Sequence, residues 1–519
     1  MRVRAFSQRL SHRTRPRSPT RPTVRRLSVG ALVFLHGRDA DGRLRELSAQ
    51  RARLRPVLGT LAAAVLDRRA FEPLGFRCLG DWSRERLGVG ARTLREWARV
   101  ERALAGLPLL RAAVRAGEVS WTVARKIVGV VSPESEAACL ASVRGRTVRA
   151  VEVMLRAVAE PATGASEAAE ENRVLVRVAC PRRVAMKWAA ALELARRMAG
   201  ESLPTWACAE AIAAECAAAG AAVSPPPPDR CSPLHSARAP QRNAESGLRA
   251  QVWPHLAWTP PAVPGGDRLE RLSHGLDRCA PRALDRRFRE AIAFLQQIDI
   301  EIGRVLRQVV ERKLYRELGF ETFERYATER LDGSARRLVR LARAEHRAPE
   351  VATAFRAGRI TLFQAEVLLR GGRVDRAERV TLRRLEDEVP EAEVAFRAPR
   401  DVAILFEAMV ARVGLEAMLD HAIVTWVEAG RAFEDYADFG RDGFRCTVPA
   451  CTARRNLQSH HIVFRSAGGP DRPWNRTTLC AFHDHRGVHA GRVRIRGRAP
   501  DRLVYTLGVG RFRSGDVKL

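Results

Sequence analysis

The chain has 519 residues, with 90 Lys and Arg against 59 Asp and Glu, a formal net charge of +31 at neutral pH. That length allows two to four domains, each with its own core, and the charge points to polyanionic partners, nucleic acid before an anionic membrane surface. Hydrophobic content of 46% is ordinary for globular protein, and no apolar run approaches the ~20 residues that a membrane-spanning helix needs.

Residues 1–38 hold no acidic side chain and many Arg and Ser. The apolar stretch Val29 to Leu35 follows a basic segment, as in a signal peptide, but it is short and late and has no convincing small-residue cleavage site. Residues 1–40 are therefore read as a disordered basic arm, or as sequence upstream of the true start. Cys78, Cys139, Cys180, Cys208, Cys216, Cys231 and Cys279 have no regular spacing. That argues against a disulfide scaffold and fits a cytoplasmic protein whose lone thiols serve as small hydrophobes.

Two long segments repeat each other. From Leu74 the chain reads LGFRCLGDWSRERLGVGARTLREWARVERAL, and from Leu318 it reads LGFETFERYATERLDGSARRLVRLARAEHRA. The shared frame is LGF, an aromatic at Trp82 or Tyr326, ERL, a Gly-containing turn, an Arg-bearing helix, RAG and a last helix. Further on, Pro181-Arg-Arg-Val-Ala matches Pro399-Arg-Asp-Val-Ala. Apolar positions at helical spacing (Leu94, Trp97, Ala98; Leu338, Leu341, Ala342) predict helices over Ala91–Leu104 and Ser334–His346. Ser120 and Thr361 open the helices that follow. Duplication at this spacing predicts two similar helical domains, 41–221 and 267–435, rather than a solenoid of short repeats. Between them, 222–266 carries PPPP and TPPAVPGG and reads as a Pro-rich linker.

Residues 436–519 form the last unit. Within 44 residues, Cys446 to His489, lie five of the twelve histidines and three of the ten cysteines. Cys446 and Cys451 are a C-x4-C pair on a turn with Pro449, and Cys480 and His483 are a C-x2-H pair whose i, i+3 spacing on a helix points both the same way. Together they make a Cys3His set suited to structural Zn2+. Inside this frame lie His460, His461, Gly468, Gly469, Asn475, Asp484, His485 and His489. Adjacent strand residues point to opposite faces, so His460 and His461 serve different purposes. Asn475 offers a carbonyl that could hold an imidazole nitrogen. Arg492, Arg494 and Arg496 alternate with Val493 and Ile495 as on a strand; with Arg465 they are the candidate DNA phosphate contacts.

These spaced positions resemble the HNH nucleases and their ββα-metal fold. The duplicated helical frame is similar to the helix-turn-helix region of ParB-type partition proteins, with Arg92, Arg95 and Arg99 or Arg336, Arg337, Arg340 and Arg343 facing nucleic acid. The whole looks like a bacterial group that sets an HNH module behind a duplicated helical region. The resemblance implies a mainly α protein with a small zinc-containing C-terminal domain. It implies His461 as general base and Asn475 as the residue that orients it. It implies His460 as ligand of Mg2+ or another divalent cation. This chain departs from the family at Asp484, where His is usual. Asp484 is then the second ligand, a hard oxygen donor, and His485 and His489 are weaker candidates. The expectation is an endonuclease that hydrolyses DNA and has no membrane association, with room for a protein partner or a homodimer. The alternative is a non-catalytic DNA-binding regulatory or partition protein with a structural zinc finger, or a degenerate HNH remnant.

Overall fold

The computed structural model describes residues 36–158, 173–220, 266–331, 334–429 and 436–519. Almost all of the expected basic arm and linker lie outside them. The described chain is mainly helical, with small antiparallel sheets. The first helix, Gly37–Asp67, begins inside the segment read as an arm.

The duplication runs further than the sequence match. Gly37–Asp67 has a counterpart in Pro281–Glu311, also 31 residues long. Each is followed by a short helix (Leu79–Leu87; Phe323–Arg330) and then by the Arg-bearing helix (Ala91–Ala105; Ala335–Ala344). Ser120 caps Trp121–Ile127 by accepting from the Val123 N–H, and Thr361 builds a full capping box with Gln364 on Leu362–Leu368. Each copy closes with a strand, Val174–Pro181 or Glu391–Ala398, and two helices, the first capped by Pro181 or Pro399.

The copies interlock instead of standing apart. The two 31-residue helices pack on each other, and the two strands pair antiparallel, Val176 opposite Phe396 and Val178 opposite Val394. Arg182–Ala199 packs on Leu415–Ala429, while Thr205–Ala218 packs on Arg400–Val413, a reciprocal exchange of terminal helices. One core draws on both copies through Leu44, Leu54, Trp82, Leu94, Phe288, Tyr326 and Leu338. A second joins the strand pair and the terminal helices to Cys446, Leu479 and Tyr505 of the C-terminal module.

Polar locks explain why ERL recurs. Arg86 grips Asp285 of the other copy at 3.0 and 2.6 Å, and Arg330 grips Asp41 at 2.6 and 3.1 Å. Glu85 accepts from the Leu382 N–H at the start of one late helix; Glu329 accepts from Val148 and Arg149 at the start of its equivalent. Gly59 and Gly303 occupy the same place on the two long helices. A Cβ at Gly303 would lie 2.6 Å from the Leu338 carbonyl, and one at Gly59 2.7 Å from Glu101 Cβ. Glycine is what lets the Arg-bearing helix of each copy come this close.

The C-terminal module has two parts. A hairpin pairs Leu457–His461 with Arg476–Cys480, placing His460 opposite Thr477, and a helical segment, Phe482–Val488, follows. A four-stranded antiparallel sheet then runs through Arg494–Arg498, Arg502–Leu507, Gly510–Arg513 and Val517–Lys518 in order. Its last strand bridges Val517 to Val380, where Arg383 binds both Asp516 oxygens.

Candidate metal centre

Cys446, Cys451, Cys480 and His483 are all buried, and their ligand atoms lie within 4.8 Å of one another. Local backbone brings them there. Cys451 N–H donates to Val448 O to close the turn over Pro449, with Ala450 at φ +62°. Cys480 ends its strand, and His483 sits in the first turn of the next segment. The pair therefore spans a strand–helix junction and not two positions of one helix. Arg383 donates to the carbonyls of Cys446 and Cys451 and holds the knuckle from outside.

The imidazole of His483 is oriented by the helical body. Its Nε2 lies 3.0 Å from Gly75 O, an acceptor, so Nε2 carries the proton. Nδ1 is left with a lone pair facing Cys446 and Cys480 Sγ at 3.3 and 3.4 Å. Burial opposes charge on the sulfurs. Hydrogen bonds from Cys446 and Cys480 nevertheless bring the Cys451 thiol well below its usual pKa, while burial pushes Cys446 well above. Buried thiolates packed this closely repel one another unless a cation lies among them. The buried Cys3His set fits a metal ion such as zinc.

A second group lies beside the first. Ligand atoms of His460, Asp484 and His489 also fall within 4.8 Å of one another. His460 Nδ1 meets Asp484 Oδ1 at 2.6 Å, and His489 Nε2 meets the same oxygen at 3.6 Å. The Nε2 of His460 is buried with no hydrogen-bond partner. Burial holds the His460 pKa below its usual value, against Asp484, so the ring is a neutral donor at pH 7. His489 joins because Phe482–Val488 is wound as a π-helix, with His489 N–H donating to Asp484 O. That i, i+5 winding returns His489 to the face of Asp484, where its ring stacks on Phe464 at 5.1 Å and 6°. His485 is outside the group, exposed and 3.8 Å from the other Asp484 oxygen.

His461 points to the opposite side of the strand. Its Nε2 lies 3.2 Å from Asp471 Oδ1, and Arg465 reaches the other Asp471 oxygen at 3.3 Å. Arg465 Nε also donates toward the same Nε2 at 3.4 Å, so Nε2 carries the proton in the Asp471 contact and the lone pair in the Arg465 contact, one for each tautomer of the ring. Asn475, fully buried, corrects an expectation. Its Oδ1 accepts from Val463 N–H, and its Nδ2 donates to Val463 O and Pro470 O. No imidazole uses it: it ties the loop that carries Asp471, and so acts on His461 only indirectly. Arg492 lies before the strand and not on it, exposed and paired with Glu72 at 3.1 Å. Arg494 and Arg496 are exposed on the edge strand, with Val493 and Ile495 buried behind them. Sequence reading missed Asp471 and Gly75, the one for want of a motif, the other because it is remote in the chain.

No family model, curated protein or solved structure matches the chain. Its chemistry is read from these residues alone. Among the described residues, no helix is long and apolar enough to cross a membrane.

Proposed function

We propose that the C-terminal module is a metal-dependent HNH endonuclease that hydrolyses DNA phosphodiester bonds. The observation that carries this reading is the division of labour at His460 and His461. One joins a three-residue cation-binding group through the buried side of the strand. The other is held, on the opposite side, by a carboxylate. A structural zinc finger alone would need only Cys446, Cys451, Cys480 and His483, and would leave His460, Asp484, His489 and the His461–Asp471 pair without purpose.

In this reading His461 takes a proton from water at Nδ1, with Nε2 donating to Asp471, which stabilises the imidazolium that forms. Asn475 keeps Asp471 in reach by fastening its loop. His460, Asp484 and His489 would hold Mg2+ or another divalent cation. When bound, that ion polarises the scissile phosphate and stabilises the leaving 3′ oxygen. Cys446, Cys451, Cys480 and His483 would hold zinc and fix the hairpin to the segment after it. The net charge of +31 favours a nucleic-acid substrate, and reduced thiols suit the cytoplasm.

Plasmid nicking in Mg2+, Mn2+ or Ni2+ tests the reading. Wild type is expected to nick, with His461→Ala and Asp484→Ala inactive and His485→Ala active. Equal nicking by wild type and His461→Ala refutes the assignment. Absence of nicking in every metal, with DNA binding retained, would turn the reading to a non-catalytic DNA-binding protein.

A further inference from the structure

The two Arg-bearing helices occupy equivalent places but differ in charge. On the second, every arginine has an acid: Arg336 pairs with Glu324 at 2.7 Å, Arg337 and Arg340 with Glu366 at 3.6 and 2.6 Å, and Arg343 with Glu311 at 3.3 Å. On the first, Arg92 and Arg95 are exposed and have no acidic partner among the described residues, and Arg99 donates to the Arg125 carbonyl, with no acid among the described residues paired to it.

The cause lies in the equivalent positions. Glu324 is the second residue of its helix, and Gly80 is the second residue of the matching one. Glu366 is replaced by Arg125, the fifth residue of each capped helix, and its partner Arg340 by Glu96. That ion pair is kept with its sense reversed, at 3.3 Å, and Arg95 stands where the second helix has the buried Val339. Glu311 is matched by Asp67, but Asp67 is taken by Arg102 and not by Arg99. Exposed ion pairs are individually weak. What separates the faces is therefore net charge: five arginines (92, 95, 99, 102, 125) against Glu96 and Asp67 on the first, five (307, 336, 337, 340, 343) against Glu311, Glu324 and Glu366 on the second.

We infer that the helix Ala91–Ala105 is the duplex-DNA contact of the helical body and that its counterpart Ala335–Ala344 is not. This rests on the reading of DNA as substrate. Arg92, Arg95 and Arg99 follow one another at i, i+3 and i+7, one face of the helix over about 10 Å. A helix can lie in the major groove and set such a row against phosphates on its edge. On the second helix, each phosphate would meet a carboxylate within a Debye length of about 8 Å.

The test is binding of a fluorescent DNA duplex of about 20 base pairs across a salt series, with no divalent cation added, so that cleavage plays no part. The triple variant Arg92→Gln/Arg95→Gln/Arg99→Gln is expected to lose tenfold or more in affinity. Its slope of log affinity against log salt should flatten by about 2 to 3, near 0.9 for each phosphate released. Arg336→Gln/Arg340→Gln/Arg343→Gln should change neither by more than a small fraction of this. Gly80→Glu restores the missing acid; its Cβ has only Cys78 Sγ within 4 Å, at 3.7 Å, so the variant should fold, and it should lose part of the affinity without removing any arginine. Thermal melting checks that each variant is folded. Equal losses from both triples, no loss from the first, or tighter binding of single-stranded RNA with the same arginine dependence would overturn the inference. If the asymmetry holds while plasmids stay intact, the nuclease reading alone fails.

Discussion

Replacing Asp285 with Ala probes the interlocked body most directly. Asp285 is 5% exposed and accepts from Arg86 Nε and Nη2 and from Trp82 Nε1, the last at 2.9 Å. All three donors come from the other copy. Removing the carboxylate leaves a largely buried guanidinium without its partner, a loss of about 3–5 kcal/mol, and an orphaned indole N–H that adds roughly 1 kcal/mol. The variant should thus lose ~4–6 kcal/mol, a large share of the stability of a domain. Pairing it with Arg86→Met removes the stranded charge, so the double variant should recover about 2 kcal/mol of that loss. Urea unfolding followed by far-UV circular dichroism measures both. Because the lock crosses between copies, wild type and variants should unfold in one shared transition. Two separate transitions, only one of which moves, or a shift of under about 1 kcal/mol, would refute an interlocked body.

Three further outcomes are expected. Cys480→Ser should lower the zinc recovered with the purified protein and expose Cys446 and Cys451 to thiol reagents; full metal content with protected thiols would exclude the Cys3His site. Asn475→Ala leaves three loop groups (Val463 N–H, Val463 O and Pro470 O) without their partner and should destabilise the module by about 1–2 kcal/mol, read as faster amide exchange at Val463. Unchanged exchange there would remove its role as a tie. Asp41 and Asp387 have lowered pKa values because Arg330 and Arg45, and Arg445 and Arg182, outweigh the opposing effect of burial. Their stabilisation is complete above the unfolded value of about 3.9 and is lost as pH falls through the folded values. Melting temperature should therefore drop between about pH 4 and 2, and a flat profile there contradicts those ion pairs.

Much of this was legible in the sequence. The repeat, its capping residues Ser120 and Thr361, the helices after Pro181 and Pro399, and the Cys3His set depend on local spacing, and they stand where spacing puts them. The strands before those prolines went unread, because Val174–Pro181 finds its strand partner in the other copy, more than two hundred residues away. The helix pair Gly37–Asp67 and Pro281–Glu311 was also missed, although Arg38, Asp41, Arg43, Arg45 and Glu46 recur as Arg282, Asp285, Arg287, Arg289 and Glu290: the identity is concentrated in the first turns and thins out along the apolar remainder. His489 was undervalued because an α-helical wheel turns it away from Asp484, and only the wider π winding brings it back. The side chain of Asn475 could be assigned to an imidazole or to backbone from sequence alone, and the loop geometry decides for backbone.

The reciprocal contacts between the copies have the form of a homodimer interface, yet they are made within one chain. In a dimer of identical chains every substitution appears twice and assembly depends on concentration. Here neither holds. Gly75 can take His483 on its carbonyl while Gly319, in the same LGF sequence, has nothing within 4 Å of where a side chain would start. A substitution at Gly319 would strain only its own turn, at φ +81°. The same change at Gly75 would also press on Leu507 and disturb the metal module. Covalent linkage keeps the packing of a symmetric pair while each half accumulates differences of its own.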